Sequence, residues 1–159
     1  MGGGIQSPVT HTRIMNISVG SDHRGVEHRK IIRDIVESLG HTVLDCGTMT
    51  TESCDYPDIA QTVGNSIRNG ESQFGILICG TGIGVMIAAN KVKGIRAAIC
   101  CNLDAVRLSR QHNDANVLCL AGNGFDEAQV RETITTWLAT EFEGGRHARR
   151  VDKIAAMEA

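Results

Sequence analysis

Aromatic residues are scarce in this chain: one Trp, one Tyr and three Phe in 159 residues. That leaves few platforms on which bases could stack. The formal net charge of -2 gives no bulk argument for nucleic acid or an anionic membrane. No apolar run approaches the roughly 18–20 residues needed to span a bilayer. Residues 1–13 lack a charged-then-apolar signal pattern and read as a flexible extension. The six cysteines form no C-x-x-C pair, which argues against a zinc ribbon or a thioredoxin-type motif. Several lie in apolar, strand-like runs, where a free thiol packs as a small hydrophobe. The expectation is a reduced, cytoplasmic protein without membrane or nucleic-acid partners.

What the chain does contain is an alternation of strand and helix patterns. Strands are expected over 14–20, 42–46, 74–79, 95–101 and 116–121. Helices are expected over 25–39, 58–69, 83–92, 104–111, 126–142 and 147–157. Repeating βα units predict a three-layer α/β/α sandwich on a five-stranded parallel, Rossmann-like sheet, with residues 14–159 as one domain. The 95–101 run reads as a buried strand, with the side chains of Cys100 and Cys101 on opposite faces and no function.

The most informative stretch is Ile78-Cys79-Gly80-Thr81-Gly82-Ile83-Gly84. A strand runs into a glycine-rich turn and then a helix start, which supplies backbone N–H groups to an anion. It is not the dinucleotide fingerprint: five residues after Gly80 stands Val85, and five after Gly82 stands Ile87. Nor is it a P-loop, since no lysine follows before Lys91. A small phosphorylated or oxyanionic ligand fits better. A base or nucleophile beside such a cradle suits proton-transfer or acyl chemistry; a tight turn with an inert cysteine is the structural alternative.

Ligands of open α/β sheets bind beyond the carboxyl ends of the strands. The reading places four segments there: Ser21-Asp22-His23, 46–56, 79–84 and Gln111-His112-Asn113-Asp114. Asp22 and His23 could hold sugar hydroxyls or phosphate, or be a helix cap beside a surface histidine. His112 could act as acid or base near neutral pH, and Asn113 could donate to an oxyanion or close a helix in the left-handed conformation. Arg146 and Arg150, four apart, share a helix face suited to a phosphate dianion. Val151, Ile154 and Ala155 add an apolar stripe, so a helix over 146–158 is expected to dock on a partner subunit.

Taken together, Ser21-Asp22-His23-Arg24-Gly25, Asp55-Tyr56-Pro57-Asp58, the 78–84 loop, Ile87-Ala88-Ala89-Asn90-Lys91, Gly94-Ile95-Arg96-Ala97, the segment 109–116 and Gly144-Gly145-Arg146-His147 resemble the ribose-5-phosphate isomerase B family, within a group that includes allose- and galactose-6-phosphate isomerases. The resemblance implies interconversion of ribose 5-phosphate and ribulose 5-phosphate in the pentose phosphate pathway, without metal or cofactor. It implies Cys79 as the base between C1 and C2. Some relatives use a glutamate where this chain has Val85. It implies His112 as the ring-opening acid assisted by Thr81, and the amides of Gly80, Thr81, Gly82, Ile83 and Gly84 with Asn113 as donors to the enediolate. His23, Arg146 and Arg150 would take the phosphate, with Asp22 and Tyr56 lining the pocket. The family works as a homodimer or homotetramer with shared sites, so His112, Asn113, Arg146 and Arg150 would come from the partner. A hexose-6-phosphate isomerase, with pocket depth set by the loops 48–55 and 80–85, and a non-catalytic phosphosugar- or nucleotide-binding module are the alternatives.

Overall fold

The computed structural model describes residues 13–47 and 52–158. The expected extension, apart from Arg13, and the first four residues of the 48–55 loop lie outside them.

Five strands form one parallel sheet in the order β2-β1-β3-β5-β4. They are β1 (Asn16–Ser21), β2 (Thr42–Asp45), β3 (Phe74–Cys79), β4 (Ala97–Ile99) and β5 (Val117–Ala121). A 3₁₀ turn (His23–Gly25) leads into α1 (Val26–Ser38). The other helices are α2 (Tyr56–Arg68), α3 (Ile83–Ala89), α4 (Leu103–Gln111), α5 (Glu127–Ala139) and α6 (Arg146–Ala156).

The pleat sorts side chains into two cores. On β3, Ile76 and Ile78 join Ile32, Ile35, Val106, Ile134 and Trp137. Their neighbours Leu77 and Cys79 point the other way, onto Ala60, Val63, Val85 and Ala89. Helices α1, α4 and α5 therefore cover one face, and α2 and α3 the other. β3 is buried on both faces, which is why it reads as a continuous apolar run.

The expected buried strand over 95–101 is instead a three-residue edge strand of half-buried and exposed residues. Ile95 turns into the α2/α3 core, and the chain leaves the ladder after Ile99. Cys100 and Cys101 thus lie past the strand rather than on its two faces. Asn90 faces β4: its Nδ2 donates to the Ala97 carbonyl at 3.0 Å, and its Oδ1 accepts the Ala97 N–H at 2.8 Å.

Candidate active site

Cys79 ends β3 with 8% of its surface exposed. The loop beyond it is clamped to the end of β5: the Gly122 N–H donates to the Cys79 carbonyl at 2.8 Å, and the Asn123 N–H to the Gly80 carbonyl at 3.0 Å. Gly82 takes φ +76°, a conformation that costs glycine little. That twist aims the Gly82 N–H at Cys79 Sγ, 3.2 Å away. The next amide, of Ile83, donates to Thr81 Oγ1 at 3.2 Å. Two of the amides expected to cradle an oxyanion are thus held by the loop's own side chains, Cys79 and Thr81. Gly80, Thr81 and Ile83 are exposed, and Gly82 is buried.

The structure brings three other expected residues to this end of the sheet. Tyr56 lies over Gly84, where an added Cβ would meet its ring at 2.8 Å. His23 accepts the Cys54 N–H on Nδ1 at 3.3 Å, which ties the β1 loop to the β2 loop. Asp22 serves as a cap, its Oδ1 accepting from the Arg24 and Gly25 amides at 3.0 and 3.2 Å. Beneath them buried Arg29 bonds Ser21 Oγ at 2.8 Å and Asp45 at 3.0 Å, bracing the ends of β1 and β2. A cleft of about 740 Å³, lined in part by Thr81, Ile83, Ile99 and Asn123, adjoins the loop along the β4 edge.

His112 and Asn113 are not at this end. They close α4 and enter β5, and in a parallel sheet the segment entering a strand lies opposite the segment leaving it. With Cys79 in register with Ala121, and Gly75 with Val117, β5 runs alongside β3 for the whole length of β5. The expected convergence of four segments within one chain is therefore corrected: three converge, and the fourth lies at the amino end.

There His112, Asn113, Arg146 and Arg150 form a second cluster with a residue that sequence reasoning left without a role, His147. The His112 and His147 rings stack with centroids 4.0 Å apart and 12° between planes. Burial holds His147 below the ordinary histidine range, with the charges of His112, Arg146 and Arg150 adding to the effect and Glu143 opposing it. Asn113, Arg146 and Arg150 are exposed. The left-handed residue of the turn is Asp114, at φ +46°, not Asn113. Arg110, 6% exposed, donates to Asp114 Oδ1 at 2.9 Å, to the Ala115 carbonyl and to the Thr140 carbonyl, and its guanidinium covers the Phe74 ring. Arg96 holds the Asn113 and Asp114 carbonyls from the other side. The i,i+4 spacing of Arg110 and Asp114 at a helix end was the available signal for this brace.

Of the other cysteines, Cys119 lies beside Cys79 in the α2/α3 core. Burial pushes its thiol far up, with Cys79 and Cys100 adding to the shift. A thiol held that way is a packing group rather than a base. Among the described residues, no helix is long and apolar enough to cross a membrane.

Comparison with known proteins agrees with this architecture. The family described as Ribose/Galactose Isomerase matches residues 17–154. Ribose-5-phosphate isomerase B of Escherichia coli is 43% identical over 143 residues, 89% of this chain and 95% of that protein. D-erythrulose-4-phosphate isomerase of Pectobacterium atrosepticum is 40% identical over 146 residues, 91% of this chain and 96% of that protein. The solved ribose-5-phosphate isomerase B of Clostridium thermocellum superposes with a TM-score of 0.87 at 48% identity, over 91% of this chain and 97% of that one. The chain belongs to the ribose/galactose isomerase family and is an aldose–ketose isomerase.

Proposed function

We propose that the chain interconverts D-ribose 5-phosphate and D-ribulose 5-phosphate through an enediolate, in a site completed by a second copy of itself. The observation that carries the reading is the Gly82 N–H donated to Cys79 Sγ at the mouth of an exposed amide loop. Relatives and solved structures named ribose-5-phosphate isomerase B, at 43% and 48% identity, support the pentose.

In this reading Cys79 takes the proton from C2 of the open-chain aldose and returns it to C1, while the O2 hydroxyl proton passes to O1. The loop amides and Asn113 donate to the enediolate oxygens; one such donor is worth roughly 3–4 kcal/mol of transition-state stabilisation. A substrate oxygen takes over the Gly82 and Ile83 donors that Cys79 and Thr81 occupy without it. His112 protonates the ring oxygen as the furanose opens, with Thr81 beside it; histidine suits a step that needs an acid in one direction and a base in the other. His23, Arg146 and Arg150 hold the phosphate, and Asp22 and Tyr56 line the wall.

The separation of Cys79 from His112 within one chain supports a shared site. So does apolar surface around the loop: Ile83, Ile87 and Ile99 are 50%, 54% and 37% exposed. A two-fold assembly would set the carboxyl end of one sheet against the amino-end cluster of the other. The tetrose-phosphate relative favours a second reading in which a shorter sugar is turned over.

The test is turnover of ribose 5-phosphate, erythrulose 4-phosphate and allose 6-phosphate side by side, for wild type and Cys79→Ala, without added metal. Preferred turnover of the pentose, abolished with Cys79, is expected. Preference for another sugar overturns the substrate; no turnover of any overturns the reaction in favour of a binding module.

A further inference from the structure

We propose that His112, Glu143 and His147 form a binding site for a divalent transition-metal ion of the zinc class, and that occupancy switches the enzyme off. The donor atoms of the three side chains all lie within 4.8 Å of one another. Zinc holds nitrogen and oxygen ligands at about 2.0–2.2 Å in a tetrahedron, which puts neighbouring donors about 3.3 Å apart. Glu143 Oε2 and His147 Nε2 already stand 3.4 Å apart. The His112 ring lies parallel to that of His147, so it must turn out of the stack to aim a nitrogen at the same ion.

The three ligands come from segments already tied together. His112 caps α4, Glu143 lies in the strap before α6, and His147 is in the first turn of α6. The Glu143 N–H donates to the Gln111 carbonyl at 3.1 Å, which joins the strap to the residue before His112. The His147 N–H donates to the Gly144 carbonyl at 3.0 Å. Arg110 holds the same strap through the Thr140 carbonyl. The backbone is thus fixed before any ion arrives.

Two imidazoles and one carboxylate are the donor set of zinc, cobalt and nickel sites; magnesium and calcium prefer all-oxygen shells. Three protein ligands leave a fourth position for solvent, as in exchangeable rather than closed structural sites. Glu143 is exposed and His112 half-buried, so an ion has a path in. Arg146 and Arg150 stand close enough to act on His147, and their charge opposes a cation. Affinity therefore leans on the Glu143 carboxylate.

The inhibitory half of the inference rests on the proposed role of His112, because a nitrogen that ligates a metal cannot also move a proton. The metal half does not. The experiment uses full-length protein stripped with EDTA and titrated with Co²⁺ in the spectrometer and with Zn²⁺ in the calorimeter, for wild type and Glu143→Gln. One ion per chain is expected, with visible cobalt bands and no sulfur-to-cobalt charge-transfer band. Glu143→Gln should weaken affinity by at least about 10-fold. It should keep basal turnover and need correspondingly more Zn²⁺ for inhibition, and EDTA should reverse the inhibition. A sulfur-to-cobalt band, equal affinity in Glu143→Gln, or no saturable binding overturns the site. Binding as described with unchanged turnover overturns the inhibitory half. Binding as described by a protein that turns over no sugar phosphate upholds the site and marks the failure as one of the functional reading alone.

Discussion

The amide of Gly82 and the sulfur of Cys79 are joined by a 3.2 Å hydrogen bond that depends on a left-handed glycine. A Cβ at Gly82 would stand 2.7 Å from Ile99 Cδ1 and 3.0 Å from the Leu120 carbonyl. Gly82→Ala should therefore cost about 1–3 kcal/mol in a urea melt and should swing the amide away from the sulfur. The useful readout is kcat: a variant that is folded but unimpaired would show that this bond contributes nothing to turnover.

Cys79→Ala should fold normally, since it removes only a sulfur at the core's edge, and should lower kcat by roughly 10²–10⁴-fold. Sugar-phosphate affinity, measured by calorimetry, should stay within a few-fold of wild type. Near-normal turnover would sink the proton-transfer role. Arg146→Ala should act differently, raising KM above all; an unchanged KM takes Arg146 out of the phosphate site.

Subunit mixing tests the shared site directly. Cys79→Ala and His112→Ala should each be inactive alone. A hybrid of the two has one doubly damaged site and one with both residues intact. Random re-association of equal amounts should thus restore about one quarter of wild-type activity. No recovery, from a mixture shown to have exchanged subunits, would mean that Cys79 and His112 do not act in one site.

Arg110 is a stability prediction. Removing the guanidinium leaves the Ala115 and Thr140 carbonyls without their donor and Asp114 without its near partner. Arg110→Ala should cost about 3 kcal/mol. A loss well under 1 kcal/mol would mean that water replaces the brace at little cost.

His41 carries a pH prediction. It is 8% exposed and accepts the Met15 N–H on Nδ1 at 3.3 Å, and burial holds it below the ordinary histidine value. The folded state therefore keeps His41 neutral where the unfolded chain, near pH 6.5, begins to bind a proton. Stability is full above that pH and declines as pH falls below it. Urea midpoints between about pH 5 and 8 should show the decline, and His41→Asn should flatten part of it. Identical slopes would exonerate His41.

Much of this was legible in the chain itself, because its signals are local. β3 declares itself since both of its faces are buried, and the turn at 80–84 because its glycines follow it directly. Tyr56-Pro57 opens α2 where expected, with Pro57 in the first turn. β4 misled because apolar residues at 95–101 serve three ends: Ile95 packs under α3, Ala97 to Ile99 form the edge, and the two cysteines leave it. The misplacement of His112 was one of direction. Its chemistry was visible, but a loop that enters a parallel strand sits at the far end from one that leaves it. His147 stood in a recognised motif but had no role there, because its significance is its stacking on His112, which no spacing announces.

Asn90 has a consequence for how the sheet ends. In a parallel strand one residue turns both its N–H and its C=O to the same side. Ala97 turns both to Asn90, whose single amide answers them as a sixth strand would. An open row of such groups is what lets sheets grow from one molecule into the next. Here the first rung of that growth is occupied from within, so one carboxamide acts as a chain terminator, and among the described residues the sheet stops at five strands without a proline, a bulge or a charge on β4.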